Sequence, residues 1–324
     1  MHPGPPAPGT GPPSWGAPDP YAASYYAQFA PKPGCVPLRP LTLSDILDGS
    51  FQTIRRNPRA TLGLSAVIAV LQVSVLAIFQ VVVYSVVRDT NSNSSDPNQV
   101  GAGQLLGVLS SLFSVIVLSA VFGAVLTGML THVITQDVLG NRETLGSVWN
   151  RVRPRILALI GASFLVAMLQ LIGLALFIVP GVWLWGALTV TVPALMVENL
   201  GVRAAMRRSR ALVRGTFWRV WGIRALGAVI VGVISAIASA PFSILAIVVS
   251  GHGLGDYADG NAGLPIAYLL ITSIGAILTT TFTAPIKAGI DALLYVDLRM
   301  RKEGLDIALQ QAVANRMPPP GPRY

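Results

Sequence analysis

The chain has 324 residues, 52% of them hydrophobic and only 11% charged, with a formal net charge of +9. Its apolar runs are longer than a soluble core requires, which excludes a soluble globular domain and indicates a polytopic membrane protein. The basic residues sit beside those runs rather than in a domain of their own, which argues against nucleic acid as a partner.

Residues 1–38 are rich in Pro, Gly and Ala and bury too little to offset chain entropy, so a disordered cytoplasmic tail is expected. A Pro-rich ligand for a partner protein is the sharper reading of the same tail. The first forty residues lack an apolar centre, so no cleavable signal peptide is expected and the first span directs insertion. Cys35 is the single cysteine, which precludes an intramolecular disulfide or a cysteine metal cluster. His2, His132 and His252 have no ligand spacing, so neither a metal nor another cofactor is expected.

Thr42 to Arg56 reads as a short amphipathic helix, with Thr42 as N-cap, Asp45 three residues on, and a stop at Asn57-Pro58. A span from about 60 to 87 follows, then the polar loop 88–100. The apolar stretch 104–138 would reach roughly 50 Å as a helix, beyond a hydrocarbon core of about 30 Å, so its end must leave the bilayer or bend. A second amphipathic piece, Thr144 to Val152, precedes a hairpin of spans at 156–179 and 182–197. Trp149 suits the interface, and Trp183 and Trp185 suit the outer end of that hairpin.

Asn199 to Arg224 is a short basic helix between two apolar runs. Arg203, Arg207, Arg210 and Arg214 recur at steps of four, three and four, which places four guanidinium groups on one helical face. Such a helix lies in a membrane interface with its arginines towards lipid phosphates, and Trp218 and Trp221 suit the headgroup level beside it. Gly215 is a natural stop. The fifth span, 225–249, carries Ala228, Gly232, Ala236 and Ala240 at intervals of four, a spacing that admits a close neighbour. The sixth runs from about 264 to 295, with Lys287 at the inner interface and Asp291 one turn on as its structural ion-pair partner.

These elements predict an all-α membrane protein with six transmembrane helices as three hairpins, each preceded by a cytoplasmic amphipathic interfacial helix. The predicted parts are a tail at 1–38, a six-span membrane domain at 39–307 and a short cytoplasmic tail at 308–324. With Lys287 assigned to its interface, 22 of the 23 Lys and Arg lie on the side of the termini and only Arg88 lies opposite. The positive-inside rule then puts both termini in the cytoplasm. Phosphate loops, paired metal-spaced histidines and nucleophile elbows are missing from the sequence, so no catalytic residue and no metal site is assigned.

Three stretches, PLRPLTLSDILDGSFQTIRRNPRATLGL (Pro37 to Leu64), Pro193 to Arg219 with RSRALVRGTFWR, and LLYVDLRMRKEGLDI (Leu293 to Ile307), carry a resemblance. They resemble actinobacterial membrane proteins labelled as having a glycerophosphoryl diester phosphodiesterase membrane domain, in particular the mycobacterial proline- and glycine-rich transmembrane proteins. The resemblance implies a multi-span helical fold in the plasma membrane with no defined biochemical role. It implies no phosphodiesterase activity, since in the related enzymes catalysis belongs to a separate soluble barrel. The function expected is that of a non-enzymatic membrane protein that engages anionic lipid headgroups and organises or regulates a membrane process. The alternative is a transporter or lipid-handling protein with a cavity between the hairpins, which Gln72, Gln80, Gln170, Thr279, Thr280, Thr281 and Thr283 would line, although helix-to-helix hydrogen bonding is the expected use of these residues.

Overall fold

Helix α1 (Leu43–Arg56) starts where Thr42 and Asp45 satisfy each other's backbone. The Thr42 hydroxyl accepts from Asp45 N–H at 3.2 Å and the Asp45 carboxylate accepts from Thr42 N–H at 2.9 Å, so two otherwise orphaned donors are paired. Helix α4 (Leu145–Val152) repeats the device with Thr144 and Ser147. Helix α8 (Val202–Val213) has Gly201 at its N-cap without a side-chain cap and stops where Gly215 takes φ +85°, a backbone region that favours glycine. The computed structural model describes residues 32, 34–93, 97–138, 144–176, 178–250 and 266–314, and among these all regular structure is helical.

Each of these three helices feeds a longer apolar one. α1 leads to α2 (Pro58–Asn93), which is followed by α3 (Pro97–Val138); α4 and a 3₁₀ turn at Arg153–Arg155 lead to α5 (Ile156–Leu176). α8 leads to α9 (Phe217–Ser250), followed by α10 (Ile266–Glu303) and the short α11 (Leu305–Ala314). Six helical stretches are long and apolar enough to cross a membrane. The fourth differs from the rest: it is split into α6 (Ile178–Ala187) and α7 (Thr191–Val197), and 61% of its most apolar window is buried in protein, against 28% or less for the other five.

α2 packs on α3, α5 on α6 and α9 on α10, and α10 also touches α1, α2 and α3. Polar contacts tie the start of one span to the end of the next: Arg56 Nε to Asp137 at 2.9 Å, Arg155 Nη1 to the Leu195 carbonyl at 3.3 Å, and Arg219 Nη1 to Asp297 at 2.5 Å. The densest core lies at this end, where Leu41, Ile46, Leu130, Ile134, Leu195, Leu212, Leu293 and Leu294 are buried. Further along, Val81, Val82, Leu105, Leu106, Val229 and Ile237 are exposed, as expected for surfaces that meet acyl chains rather than water.

Several sequence expectations change here. Among the described residues, packing extends to positions before 39: Cys35, Val36 and Leu38 are at most 1% exposed and wedge between α1 and the end of α3. A Cβ on Gly34 would fall 1.7 Å from the Asp137 carbonyl oxygen, so only glycine permits that approach. The rest of the Pro-rich tail, apart from Lys32, lies outside the described residues, as do residues 315–324. The polar loop at 88–100 is largely helical, since α2 runs to Asn93 and α3 starts at Pro97. Ala228, Gly232, Ala236 and Ala240 are exposed and do not form the α9–α10 seam. The close approaches between those helices are at Gly227 against Ile290 and Gly275 against Phe242.

Candidate functional site

The arginines of α8 stand where their spacing puts them. Arg203, Arg207, Arg210 and Arg214 are all exposed, while Ala205, Met206, Ser209, Leu212 and Val213 are buried on the opposite side. The helix is anchored by what lies behind that face. Ser209 Oγ donates to the Ala187 carbonyl at 2.8 Å, and Arg208 Nε donates to the Glu198 carboxylate at 2.8 Å, so α8 grips the chain on both sides of α7. Arg208 also pairs with Glu303, and Tyr295 donates its hydroxyl to Glu198 at 2.8 Å. Burial acts to lower the Arg208 pKa, but the two carboxylates outweigh it and hold the guanidinium above its ordinary value. Lys302 Nζ donates to the Arg214 carbonyl at 2.5 Å, closing the negative end of the helix. Arg208 falls outside the four-three-four spacing, and that departure is the sequence signal for its inward role.

The second feature is a cavity of about 380 Å³ between the spans. It begins at the break in the fourth span. Thr189 N–H turns to the Gly186 carbonyl, so the Trp185 carbonyl loses its helical donor; Thr189 Oγ1 at 2.9 Å and Arg224 Nη1 at 2.8 Å replace it. Arg224 Nη1 also donates to Thr189 Oγ1 at 2.6 Å, and its guanidinium stacks 4.6 Å from the Trp185 ring centroid. Arg224 Nε lies 3.9 Å from Asp291. Thus Arg224, not Lys287, is the cation within ion-pair distance of Asp291, because the four-residue step along α10 leaves Lys287 turned into the cavity. Lys287 is exposed, lines the cavity, and has no hydrogen bond or ion pair among the described residues.

Depth along the helices orders the lining. Arg224 is seven residues into α9, roughly 10 Å from its start, whereas Gln72 and Gln170 are each fourteen residues into α2 and α5, roughly 21 Å. Arg224 therefore lies nearer the end that carries α8, and the uncharged amides lie deeper. Gln72 Nε2 donates to Ser119 Oγ at 3.3 Å, the helix-to-helix bond expected of a polar group in a span. Gln80 does not line the cavity; Thr280 and Thr283 do.

The tryptophans divide into two groups. Trp149, Trp183 and Trp218 are exposed, at 46%, 50% and 77%, as a headgroup-level ring would be. Trp185 is not at the far end of the hairpin. Its ring stands 6.3 Å edge-on from Trp221, which continues at 6.2 Å to Trp218, so all three belong to the end where α9 begins. The physical reason is the break: α6 is only ten residues long, and its last carbonyl meets α8. Among the described residues no group of three or more His, Cys, Asp or Glu could hold a metal. Comparison of the chain with protein-family models, curated proteins and solved structures finds no match.

Proposed function

We propose that this chain is a non-enzymatic multi-pass plasma-membrane protein, both termini cytoplasmic, that engages anionic lipid headgroups through α8 and so organises or regulates a membrane process. The observation that carries this is the two-sidedness of α8: four exposed arginines on one face, and on the other a buried seam bonded to α6 and to Glu198. A rigidly held row of guanidinium groups retains anionic headgroups without ordering a long flexible segment, and each basic residue near an anionic surface contributes about 1 kcal/mol. The arrangement of three hairpins, each behind a cytoplasmic interfacial helix, belongs to the same proposal. Its test is thermal stability of the full chain in nanodiscs. Replacing phosphatidylcholine with phosphatidylglycerol should raise the Tm, and the rise should disappear in the variant with Arg203, Arg207, Arg210 and Arg214 all changed to Gln. An equal rise in that variant would refute the proposal.

A second reading, a transporter or lipid-handling protein, is favoured by a separate observation. A broken span beside a cavity of about 380 Å³ lined by Arg224, Lys287 and Asp291 is the kind of irregular backbone that membranes tolerate where it borders a cavity in which a ligand or ion is handled. Saturable uptake into proteoliposomes that depends on the cavity residues would distinguish it from a headgroup-binding scaffold.

A further inference from the structure

The cavity is lined by two cations and one carboxylate, and so carries one net positive charge. Arg224 and Asp291 stand 3.9 Å apart and cancel, and the hydrogen-bonding capacity of Arg224 is partly taken by Trp185 and Thr189. Lys287 remains, with three ammonium donors and no hydrogen-bond acceptor or contact ion pair among the described residues; Asp291, one turn on, acts on it only at longer range. A second, smaller space of about 280 Å³ shares Trp185, Arg224, Val231, Lys287 and Asp291 with the first, so Lys287 stands where the two meet.

The neutral lining adds donors that are likewise unused. Thr127, Gln170 and Thr280 line the larger cavity, and none of their side chains has a hydrogen-bond partner among the described residues, unlike Thr189, Thr191 and Thr283, whose hydroxyls donate to backbone carbonyls. Polar groups at membrane depth are costly to leave unpaired. One net positive charge surrounded by spare neutral donors matches a ligand with one negative charge shared over oxygens. A dianion would leave a charge uncompensated, and a cation would be repelled by Lys287. The volume falls within the range of small-molecule sites.

We propose that the larger cavity binds a singly charged oxyanion, a carboxylate or a phosphodiester, with Lys287 as its counter-charge and Gln170, Thr127 and Thr280 as neutral donors. The proposal rests on the second reading above, in which the cavity admits a ligand. It is separate from headgroup binding on α8, whose arginines face outward.

The test uses the full chain in phosphatidylcholine nanodiscs, titrated by calorimetry with four probes: dihexanoylphosphatidylglycerol, dimethyl phosphate, butyrate and the net-neutral dihexanoylphosphatidylcholine. The expected result is saturable binding of at least one singly charged probe and a weaker response to the neutral one. Binding of the lipid alone assigns a lipid headgroup; binding of dimethyl phosphate or butyrate assigns a free anion. Lys287→Gln should weaken binding about tenfold or more, and Lys287→Arg should restore most of it. Gln170→Leu keeps the charge and removes neutral donors, so a smaller, severalfold loss is expected even if Lys287→Gln does not fold. Wild-type affinity in a folded Lys287→Gln protein, or equal binding of neutral and charged lipid, overturns the oxyanion assignment alone. Absence of saturable binding by all four probes overturns it together with the cavity reading.

Discussion

Asp297 accepts a hydrogen bond from the backbone N–H of Leu41 at 2.8 Å, across 256 residues of sequence. The Leu41 carbonyl is bound in turn by Arg219 Nη2 and Arg301 Nη2, each at 2.8 Å, and both arginines pair with the same Asp297 carboxylate. The segment before α1, the start of α9 and the end of α10 therefore close into one ring around a fully buried carboxylate. The stretches Pro37 to Leu64, Pro193 to Arg219 and Leu293 to Ile307 meet at this point, although they are spread along the chain.

Removing that carboxylate leaves two guanidinium groups without their charge partner, bonded only to the Leu41 carbonyl, and the Leu41 N–H without its acceptor. Asp297→Ala should cost roughly 3–5 kcal/mol of stability, in line with other broken buried pairs, and Asp297→Asn should cost less because it can still accept from Leu41. Denaturant unfolding of the detergent-solubilised chain measures both. A wild-type midpoint for Asp297→Ala would show that the ring does not hold these three segments together.

Cys35 reports on the segment that leads into this ring. It is 1% exposed, and burial pushes its thiol from 9.0 up to about 12; a hydrogen bond with Thr53 opposes the rise and the Asp137 charge adds to it. At pH 8 the folded chain should therefore react with maleimide far more slowly than the denatured chain. Because the folded thiol holds its proton more tightly, its contribution to stability is complete below about pH 9 and is lost as pH rises towards 12. Gly34→Ala, whose added Cβ meets the Asp137 backbone, should speed labelling at pH 8. Equal labelling rates in Gly34→Ala and wild type would show that the segment is not packed there.

Much of this architecture can be read from local pattern. The six apolar runs, the Thr42 and Thr144 caps and the four-three-four arginine spacing each depend on neighbours within a turn or two, and the helices form where those patterns place them. What escaped the sequence depends on distant partners. Leu188-Thr189-Val190 looks like uninterrupted span, and its break is tolerable because the Thr189 hydroxyl and the distant Arg224 both donate to the Trp185 carbonyl. Cys35, Val36 and Leu38 are hidden in a Pro- and Gly-rich composition that masks their apolar character. Lys287 and Asp291 have the spacing of a helical pair, yet Arg224 from another helix takes the carboxylate.

One glycine from each of α9 and α10 allows a paired comparison. A Cβ on Gly275 would lie 2.5 Å from the Phe242 Cβ, whereas a Cβ on Gly232 meets nothing within 4 Å. Gly275→Leu should therefore destabilise the chain by roughly 1–3 kcal/mol through overpacking, and Gly232→Leu should leave the unfolding midpoint nearly unchanged. The reverse order would place the α9–α10 seam on the exposed stripe after all.

The outward face of α8 is where anionic headgroups are expected to bind. Native mass spectrometry of the full chain, extracted from bilayers of equal phosphatidylglycerol and phosphatidylcholine, counts the lipids that remain bound. The expected result is retention of phosphatidylglycerol over phosphatidylcholine, with the excess lost when Arg203, Arg207, Arg210 and Arg214 are changed to Gln. Equal retention of the two lipids by the wild-type chain, or an undiminished excess in the variant, would contradict headgroup engagement by α8.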